Sequence, residues 1–279
     1  MWQIIVCLKI NSTGKDVSMI IIDNEKCIGC GLCVNDCVGD NIIIEDGKAC
    51  LKDSCIQCGH CVAICPMNAV SIPDYDMNDV EDFDEKRFGF DIDDLLHTIK
   101  QRRSIRQFED RKVEKDKLEK LVQAGRYTAT GSNSQNCRFV IVQDGIDEYK
   151  KMIWKGIDCA IETPGVLPED RRLSFKKVAD RRAKGIDFMF RNAPAVVYVA
   201  SPSPVNAALA AQNIELAAVS MGLGVMYNGY VVGATNMNPE ALKWLDMEDK
   251  PAAVCMLLGY PSVKYQRSAP RKEADVRWR

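Results

Sequence analysis

Residues 27–37 read CIGCGLCVNDC and residues 55–65 read CIQCGHCVAIC, and these two runs decide how the first part of the chain folds. Each cysteine of the first run recurs 28 residues later, and both runs follow the pattern C-I-x-C-G-x-C-V-x-x-C. A fixed period of this kind indicates repeated structural units. The sequence therefore contains an internal duplication of one small metal-binding unit.

The spacing C-x2-C-x2-C-x3-C is typical of [4Fe–4S] ligands, in which the fourth cysteine of each run crosses to the other cluster. We therefore predict two clusters and a module that resembles a bacterial-type ferredoxin over residues 19–73. The predicted ligands are Cys27, Cys30, Cys33 and Cys65 for one cluster, and Cys55, Cys58, Cys61 and Cys37 for the other. Zinc is the alternative, but one zinc ion takes four ligands and would leave the remaining thiols unexplained. Val38 stands where the ferredoxin pattern has proline, which puts the stiffness of that loop in doubt.

Composition restricts the classes of function. The chain has 279 residues, of which 47% are hydrophobic and 27% charged, and a net charge of −2, so it lacks the basic surplus of a nucleic-acid-binding protein. It has no apolar run long enough to span a bilayer and no signal peptide at its start, so we predict a cytoplasmic protein without a membrane partner. In such a reducing compartment, thirteen cysteines indicate metal ligands before disulfides.

The domain organisation follows from shifts in composition. We predict an N-terminal extension (residues 1–18), the iron–sulfur module (19–73), a strongly acidic linker (74–93) and an α+β domain (94–279). In the last domain, helices are expected around Leu95–Ile99, at residues 113–124 and from Ser203 to Met221, and strands at residues 139–142, 193–200 and 252–258. The long helix is apolar around most of its girth and is expected to be central. Residues 145–190 are predicted to be irregular, and a helical excursion that covers a site is one interpretation of them.

Several kinds of site are not visible. His60 and His97 are the two histidines, and a helix-face histidine is a weak basis for a hydrolytic triad. No GxxxxGK phosphate loop is present, and Gly222-Leu-Gly224 lacks the third glycine of a dinucleotide fingerprint. A dedicated nicotinamide site is therefore not indicated.

The segment RRSIRQF at residues 102–108 places guanidiniums and a hydroxyl at a helix end, where they suit a phosphate. It is followed in order by GSNSQ (131–135), GLGVMYNG (222–229) and the end of the last strand at Gly259-Tyr260-Pro261. In that order, these segments resemble the nitroreductase family of FMN enzymes over residues 94–279. The resemblance implies an α+β, nitroreductase-like FMN domain that forms a homodimer, with FMN at the subunit interface.

The resemblance also implies the cofactor-binding residues. The FMN phosphate and ribityl chain would contact one set: Arg102, Arg103, Ser104, Arg106, Arg271 and Lys272. The flavin would be reached from the partner subunit by Thr130, Gly131, Ser132, Asn133 and Gln135, and Tyr227, Asn228 and Gly229 would lie beside its ring. Asn136-Cys137 stands where family members often have Pro-Trp, and Cys137 is the remaining cysteine expected nearest the flavin. Cys255 is expected in the core.

Together, the two halves predict an oxidoreductase. Clusters transfer single electrons and a flavin can deliver two, so electrons from an external donor (reduced ferredoxin, or one linked to NAD(P)H) would pass through the clusters to FMN. The flavin would then reduce a small organic molecule such as a nitro compound or a quinone. The alternative is an electron-transfer adapter or redox sensor without a substrate. No catalytic side chain is identified.

Overall fold

A computed structural model of the protein describes residues 20–279, so the predicted N-terminal extension lies outside the described residues. The described chain divides into two units. The first comprises residues up to 89 together with residues 131–134, and the second comprises residues 90–130 and 135–279.

The first unit is built from two short antiparallel strand pairs and two one-turn helices. Strand β1 (Ile21–Ile22) pairs with β4 (Val70–Ser71), and β2 (Ile42–Glu45) pairs with β3 (Lys48–Leu51). The helices are α1 (Leu32–Asn35) and α2 (His60–Ala63). Asp46 and Gly47 join β2 to β3 with φ values of 50° and 74°, which is the two-residue turn that suits the twist of a hairpin.

The duplication of the sequence is repeated in the backbone of the first unit. Gly31 and Gly59, 28 residues apart, precede α1 and α2 with φ values of 74° and 77°. Asp40 and Asn68, also 28 residues apart, have φ values of 51° and 49°. The loop that carries Val38 instead of proline therefore has the same left-handed residue as its counterpart, and the Val38 side chain is 81% exposed.

The second unit is organised around a four-stranded sheet. Its strands are β5 (Arg138–Val142), β6 (Ala195–Ala200), β7 (Gly224–Tyr227) and β8 (Ala252–Gly259). Their order is β5-β6-β8-β7, and all neighbours are antiparallel.

Helices cover both faces of this sheet. The helices of the second unit are α3 (Ile92–Gln101), α4 (Lys115–Arg126), α5 (Ile146–Glu162), α6 (Glu169–Ala183), α7 (Pro204–Ser220), α8 (Gly229–Asn236) and α9 (Pro239–Trp244), and all but α3 bury side chains against the sheet or one another. Alternate residues of β6 join two separate hydrophobic clusters, one shared with α5, α6, α8 and α9 and the other with α4 and α7. An antiparallel sheet covered by helices is the predicted α+β class.

Two expectations about the helices are corrected. Residues 145–190 are mostly helical rather than irregular, as the alternative interpretation of them holds: they form α5 and α6, because Tyr149, Ile153 and Ile157 recur every four residues and are fully buried. The long helix α7 is not enclosed on all sides, since the side chains of Val205 and Leu209 are 67% and 48% exposed. Its other face packs on the sheet.

A polar cluster joins the start of α4 to the end of β8. The Tyr260 hydroxyl donates to the carboxylate of Glu114, and Arg111 Nη2 donates to Glu114 Oε1 at 2.5 Å. The tyrosine hydrogen bond is the largest cause, and the arginine a further one, of the lowering of the Glu114 pKa to about 2. The carboxylate is therefore ionised and bonded throughout the neutral range.

Within residues 20–279, no helix is long and apolar enough to cross a membrane.

Candidate functional site

The structure brings together both predicted sets of cysteine ligands in the first unit. Cys33 has three other thiols close enough to influence its pKa, those of Cys27, Cys30 and Cys65, and the same four cysteines line one small cavity. In the second set, Cys58 and Cys37 influence the pKa of Cys55, and Cys55 and Cys58 influence that of Cys61. The fourth cysteine of each run therefore crosses to the other group, as the spacing predicts.

The backbone around these thiols is arranged to stabilise negative charge. N–H groups point at four sulfurs: Asn41 to Cys37 at 3.4 Å, Ala49 to Cys27 at 3.4 Å, Gln57 to Cys55 at 3.2 Å and Ala69 to Cys65 at 3.3 Å. The donors at residues 41 and 69 are equivalent in the duplication.

The chemistry of these thiols fits an iron–sulfur cluster. Burial, followed by the neighbouring thiols Cys55 and Cys58, raises the pKa of Cys61 to about 11, so without a cation this thiol stays protonated at neutral pH. A bound metal reverses that preference because it stabilises the thiolate. In the described part of the chain, no three His, Cys, Asp or Glu side chains are spaced around a single metal ion. The fit therefore rests on the two groups of four thiols.

In the second unit, the RRSIRQF segment lies beside β7. The N–H of Ile105 donates to the carbonyl of Val225 at 2.9 Å, and the N–H of Glu109 donates to that of Tyr260 at 2.8 Å. Ser104 and Val225 form a parallel bridge. The tertiary structure therefore places Ser104 next to the strand that ends at Tyr227, which joins two of the segments predicted to contact FMN.

A buried carboxylate organises this region. Glu215 on α7 is 2% exposed and accepts a hydrogen bond from Arg102 Nη1 at 3.1 Å. Burial, followed by the Glu215 charge, raises the pKa of the Tyr227 phenol, so Tyr227 keeps its proton at neutral pH. The sequence showed Glu215 as a lone charge on an apolar helix, but only the fold pairs it with Arg102.

The other two arginines of the segment have no carboxylate partner within residues 20–279. Arg103 lies over the ring of Tyr265, with 5.5 Å from its guanidinium carbon to the ring centroid. Arg106 is exposed. Arg103, Arg106 and the Ser104 hydroxyl are therefore the groups of this segment that are available to a phosphate.

Asn228 and Gly229 begin helix α8. The Asn228 side chain accepts from the N–H of Val231 at 3.1 Å and donates to the carbonyl of Met189 at 2.6 Å, so both ends of its amide are used. The backbone N–H of Asn228 donates to the carbonyl of Cys255 at 2.8 Å. Gly229 has no heavy atom within 4 Å of the position where a Cβ would stand, which leaves open space at the start of the helix.

The GSNSQ loop is divided between the two units. In the second unit, the N–H of Gln135 donates to the Thr130 hydroxyl at 3.0 Å. In the first, Asn133 Nδ2 donates to the carbonyls of Ile56 at 3.1 Å and Gln57 at 2.8 Å, inside the second cysteine run. Ser132, Asn133 and Gln135 all have positive φ. The contact of Asn133 and its neighbours with a flavin stays a prediction.

The remaining predicted residues are more dispersed. Arg271 and Lys272 are exposed, and Arg271 donates only to the carbonyl of its neighbour Pro270 among the described residues. Cys137 is half-buried, and Cys255 is buried in β8 as expected. A cleft of about 910 Å³ runs along α5 to Arg182, and none of the predicted FMN residues lines it.

Comparisons with known proteins agree with this arrangement. The model of the Nitroreductase family matches residues 99–260, and that of the 4Fe-4S dicluster domain matches residues 19–66. An FMN reductase (NADPH) of Bacillus subtilis is 27% identical over 158 residues, which are 56% of this chain and 61% of that protein. The chain thus spans less than two thirds of this curated relative.

Solved structures show a similar fold over 65–66% of this chain. A nitroreductase with bound FMN from Bacteroides fragilis covers 66% of this chain and 97% of its own, with 22% identity and a TM-score of 0.55. Another with bound FMN, from Desulfitobacterium hafniense, covers 65% of this chain and 97% of its own, with 22% identity and a TM-score of 0.53. At these identities the likeness concerns the fold.

Two groups of four thiols and a helix-covered antiparallel sheet with an arginine–serine segment are the arrangement of an iron–sulfur flavoprotein. The family match covers more than half of the chain, and the chain belongs to the nitroreductase family. A 4Fe-4S dicluster domain precedes the family domain. The predicted fold, class and cofactors, FMN and [4Fe–4S] clusters, are confirmed at this level.

Proposed function

We propose that the protein takes electrons from an external donor through its two [4Fe–4S] clusters to FMN and reduces a small organic substrate such as a nitro compound or a quinone. The observation that carries the proposal is the pairing of two four-thiol groups with a nitroreductase-family domain in one chain. When bound, the clusters supply one-electron transfer and FMN supplies the exchange between single electrons and electron pairs. The donor is a reduced ferredoxin or a carrier linked to NAD(P)H.

The residues proposed to hold FMN are those implied by the family resemblance. Ser104, Arg103 and Arg106 would hold the phosphate, because neither guanidinium has a carboxylate partner in the described chain. Arg102 would be oriented by Glu215 rather than free to move. Tyr227 and the start of α8 at Gly229 would border the ring, and the protonated Tyr227 phenol can hold a proton near it.

We also propose that the active form is a homodimer. Helix α3 has no buried residue, yet Ile92, Leu96 and Ile99 on one face are 60%, 40% and 42% exposed. Helix α7 exposes Val205 and Leu209 in the same way. Apolar helix faces of this kind are stabilised by a partner surface, and a second copy of the chain would supply it.

The cysteine-ligand chemistry favours a reducing compartment, the cytoplasm.

The test begins with anaerobic purification and quantification of iron, acid-labile sulfide and flavin. About eight irons, eight sulfides and one FMN per chain are expected. The protein is then reduced through a ferredoxin or NAD(P)H-linked donor and offered a nitroaromatic or a quinone, and substrate loss is followed with time.

The outcomes separate the alternatives. Steady turnover of the organic acceptor supports the proposed reductase. Electron transfer to a protein acceptor, with none to any organic one, would show the adapter or sensor instead. Zinc without sulfide would contradict the cluster assignment.

A further inference from the structure

The loop between α6 and β6 holds one arginine in a constrained position. The Asp187 carboxylate accepts hydrogen bonds from the N–H groups of Phe190 at 2.8 Å and Asn192 at 3.0 Å. The N–H of Arg191 donates to the Asp187 carbonyl at 3.0 Å. Arg191 and Asn192 have φ values of 55° and 54°, a left-handed conformation that costs free energy in residues other than glycine. These hydrogen bonds therefore hold the backbone of Arg191 in one conformation.

Two guanidiniums contact the same aromatic ring at this loop. The guanidinium carbon of Arg191 lies 4.3 Å from the ring centroid of Phe188, and that of Arg181 lies 4.2 Å from the same centroid. A ring that holds the flat face of a guanidinium leaves the N–H edges free to bind a ligand. Arg191 Nε is buried and has no hydrogen-bond partner among residues 20–279. Such an unsatisfied donor is uncommon in a folded protein and points to a missing acceptor.

The charges around Arg191 are mostly positive. Burial is the main cause of a lowered pKa at Arg191, and the charges of Arg106 and Arg181 lower it further. Asp187 acts in the opposite direction, but its carboxylate is already bonded to two backbone N–H groups, and Lys150 Nζ lies 3.9 Å from it.

These three arginines differ from their neighbours on α6 in having no acidic partner. Arg172 pairs with Glu169 at 2.8 Å, and Arg182 pairs with Asp158 at 2.8 Å. Across the described residues, no carboxylate lies within 4.0 Å of a nitrogen of Arg106, Arg181 or Arg191. Like charges held together around a buried donor are unfavourable unless an anion joins them.

We propose that Arg181 and Arg191 bind the carboxylate of an anionic organic substrate. This inference rests on the proposed function, because it names the class of molecule that the flavin site would reduce: an oxidised compound that carries a carboxylate. A carboxylate fits because it is planar and accepts paired hydrogen bonds from guanidinium edges. The other oxyanion that could bind near these arginines is the FMN phosphate. The experiment separates a substrate carboxylate from that phosphate.

The test measures equilibrium binding and does not depend on turnover. Benzoate and benzamide, which have the same shape but differ in charge, are titrated calorimetrically into the cluster- and flavin-loaded protein. We expect benzoate to bind. The substitutions Arg181→Gln and Arg191→Gln should each weaken benzoate affinity by about 10-fold or more, the usual effect of losing a charge-assisted hydrogen bond. Benzamide binding should not change. Arg172→Gln, on the same helix but paired with Glu169, is the matched control and should leave benzoate binding unaltered.

A second readout uses 4-nitrobenzoate and 4-nitrobenzamide as oxidants, for which the variants should raise KM for the acid alone. Arg181 is exposed at the end of α6, so its variant tests the inference even if Arg191→Gln does not fold. Unchanged benzoate binding in Arg181→Gln would overturn the proposal. Loss of FMN from the variants, with benzoate binding intact, would also overturn the proposal. It would show that these arginines bind the cofactor instead. If benzoate binds as expected but no nitro compound is reduced, only the proposed function fails.

Discussion

Replacement of Arg102 by leucine should destabilise the second unit, because it leaves the Glu215 carboxylate buried without its cation. Removal of one partner of a buried ion pair costs about 3–5 kcal/mol. We expect the lower end, about 3 kcal/mol, since the Arg102 side chain is 26% exposed and Gln212 Nε2 also donates to Glu215 Oε2 at 3.3 Å. For a unit of this size, that loss lowers Tm by about 6–12 °C.

The assay is thermal and urea unfolding followed by tryptophan fluorescence, because Trp154 and Trp244 both lie in the second unit. Flavin is removed from all variants so that ligand binding does not contribute to stability. Adding Glu215→Gln to Arg102→Leu should recover most of the loss, since it removes the buried charge. Arg103→Leu is the matched control, with an expected effect under about 0.5 kcal/mol. A loss below about 1 kcal/mol for Arg102→Leu, with no recovery in the double variant, would refute the reasoning.

Three further outcomes are expected. Cys33→Ser should remove at least about half of the iron, measured together with sulfide after anaerobic purification. Cys50→Ser should retain all of the iron, because Cys50 belongs to neither group of four thiols. Equal iron in the two variants would contradict the ligand assignment. The folded Glu114 pKa of about 2 lies below its ordinary value of 4.5, so its contribution to stability is complete above pH 4.5 and is lost as the pH falls toward 2. Glu114→Gln should flatten the pH dependence of urea unfolding in that window, and an unchanged slope would show that the group does not contribute. Gly125→Ala should lower Tm although alanine favours helices, because its Cβ would stand 2.7 Å from a ring carbon of Phe139; a raised Tm would mean that the ring moves aside at little cost.

The grouping of the eight thiols was predictable because it depends on local spacing. A run of C-x2-C-x2-C-x3-C needs only a short loop and a left-handed glycine to bring its first three thiols together, and Gly31 and Gly59 both supply it. The crossing of Cys37 and Cys65 required one further fact, the duplication, which is also written in the sequence. The strands at residues 195–200 and 252–259 were equally visible, because buried central strands are continuous apolar runs.

The bounds of the two helices within residues 146–183 were not predictable because the sequence of this region is rich in arginine and lysine. Their buried side chains are few and widely spaced, and α6 buries only Phe175 and Val178. Charged residues on the solvent side of such a helix obscure the period on the other side. Strand β7 was also missed, since four apolar residues after a glycine do not distinguish a strand from a turn.

The sequence by itself determined the two cysteine groups, because these depend on residues near one another in the chain. The order of short segments along the chain indicated the α+β class, the family and the segments expected to hold FMN. The tertiary structure alone decided that Glu215 meets Arg102 across more than a hundred residues, that Asn133 bonds to the second cysteine run, and that Arg181 and Arg191 share the ring of Phe188. These contacts join elements that are brought together by burial of the hydrophobic clusters. Hydrophobic burial is nondirectional. It determines which faces pack together, but the local sequence does not show which polar side chains will meet as a result.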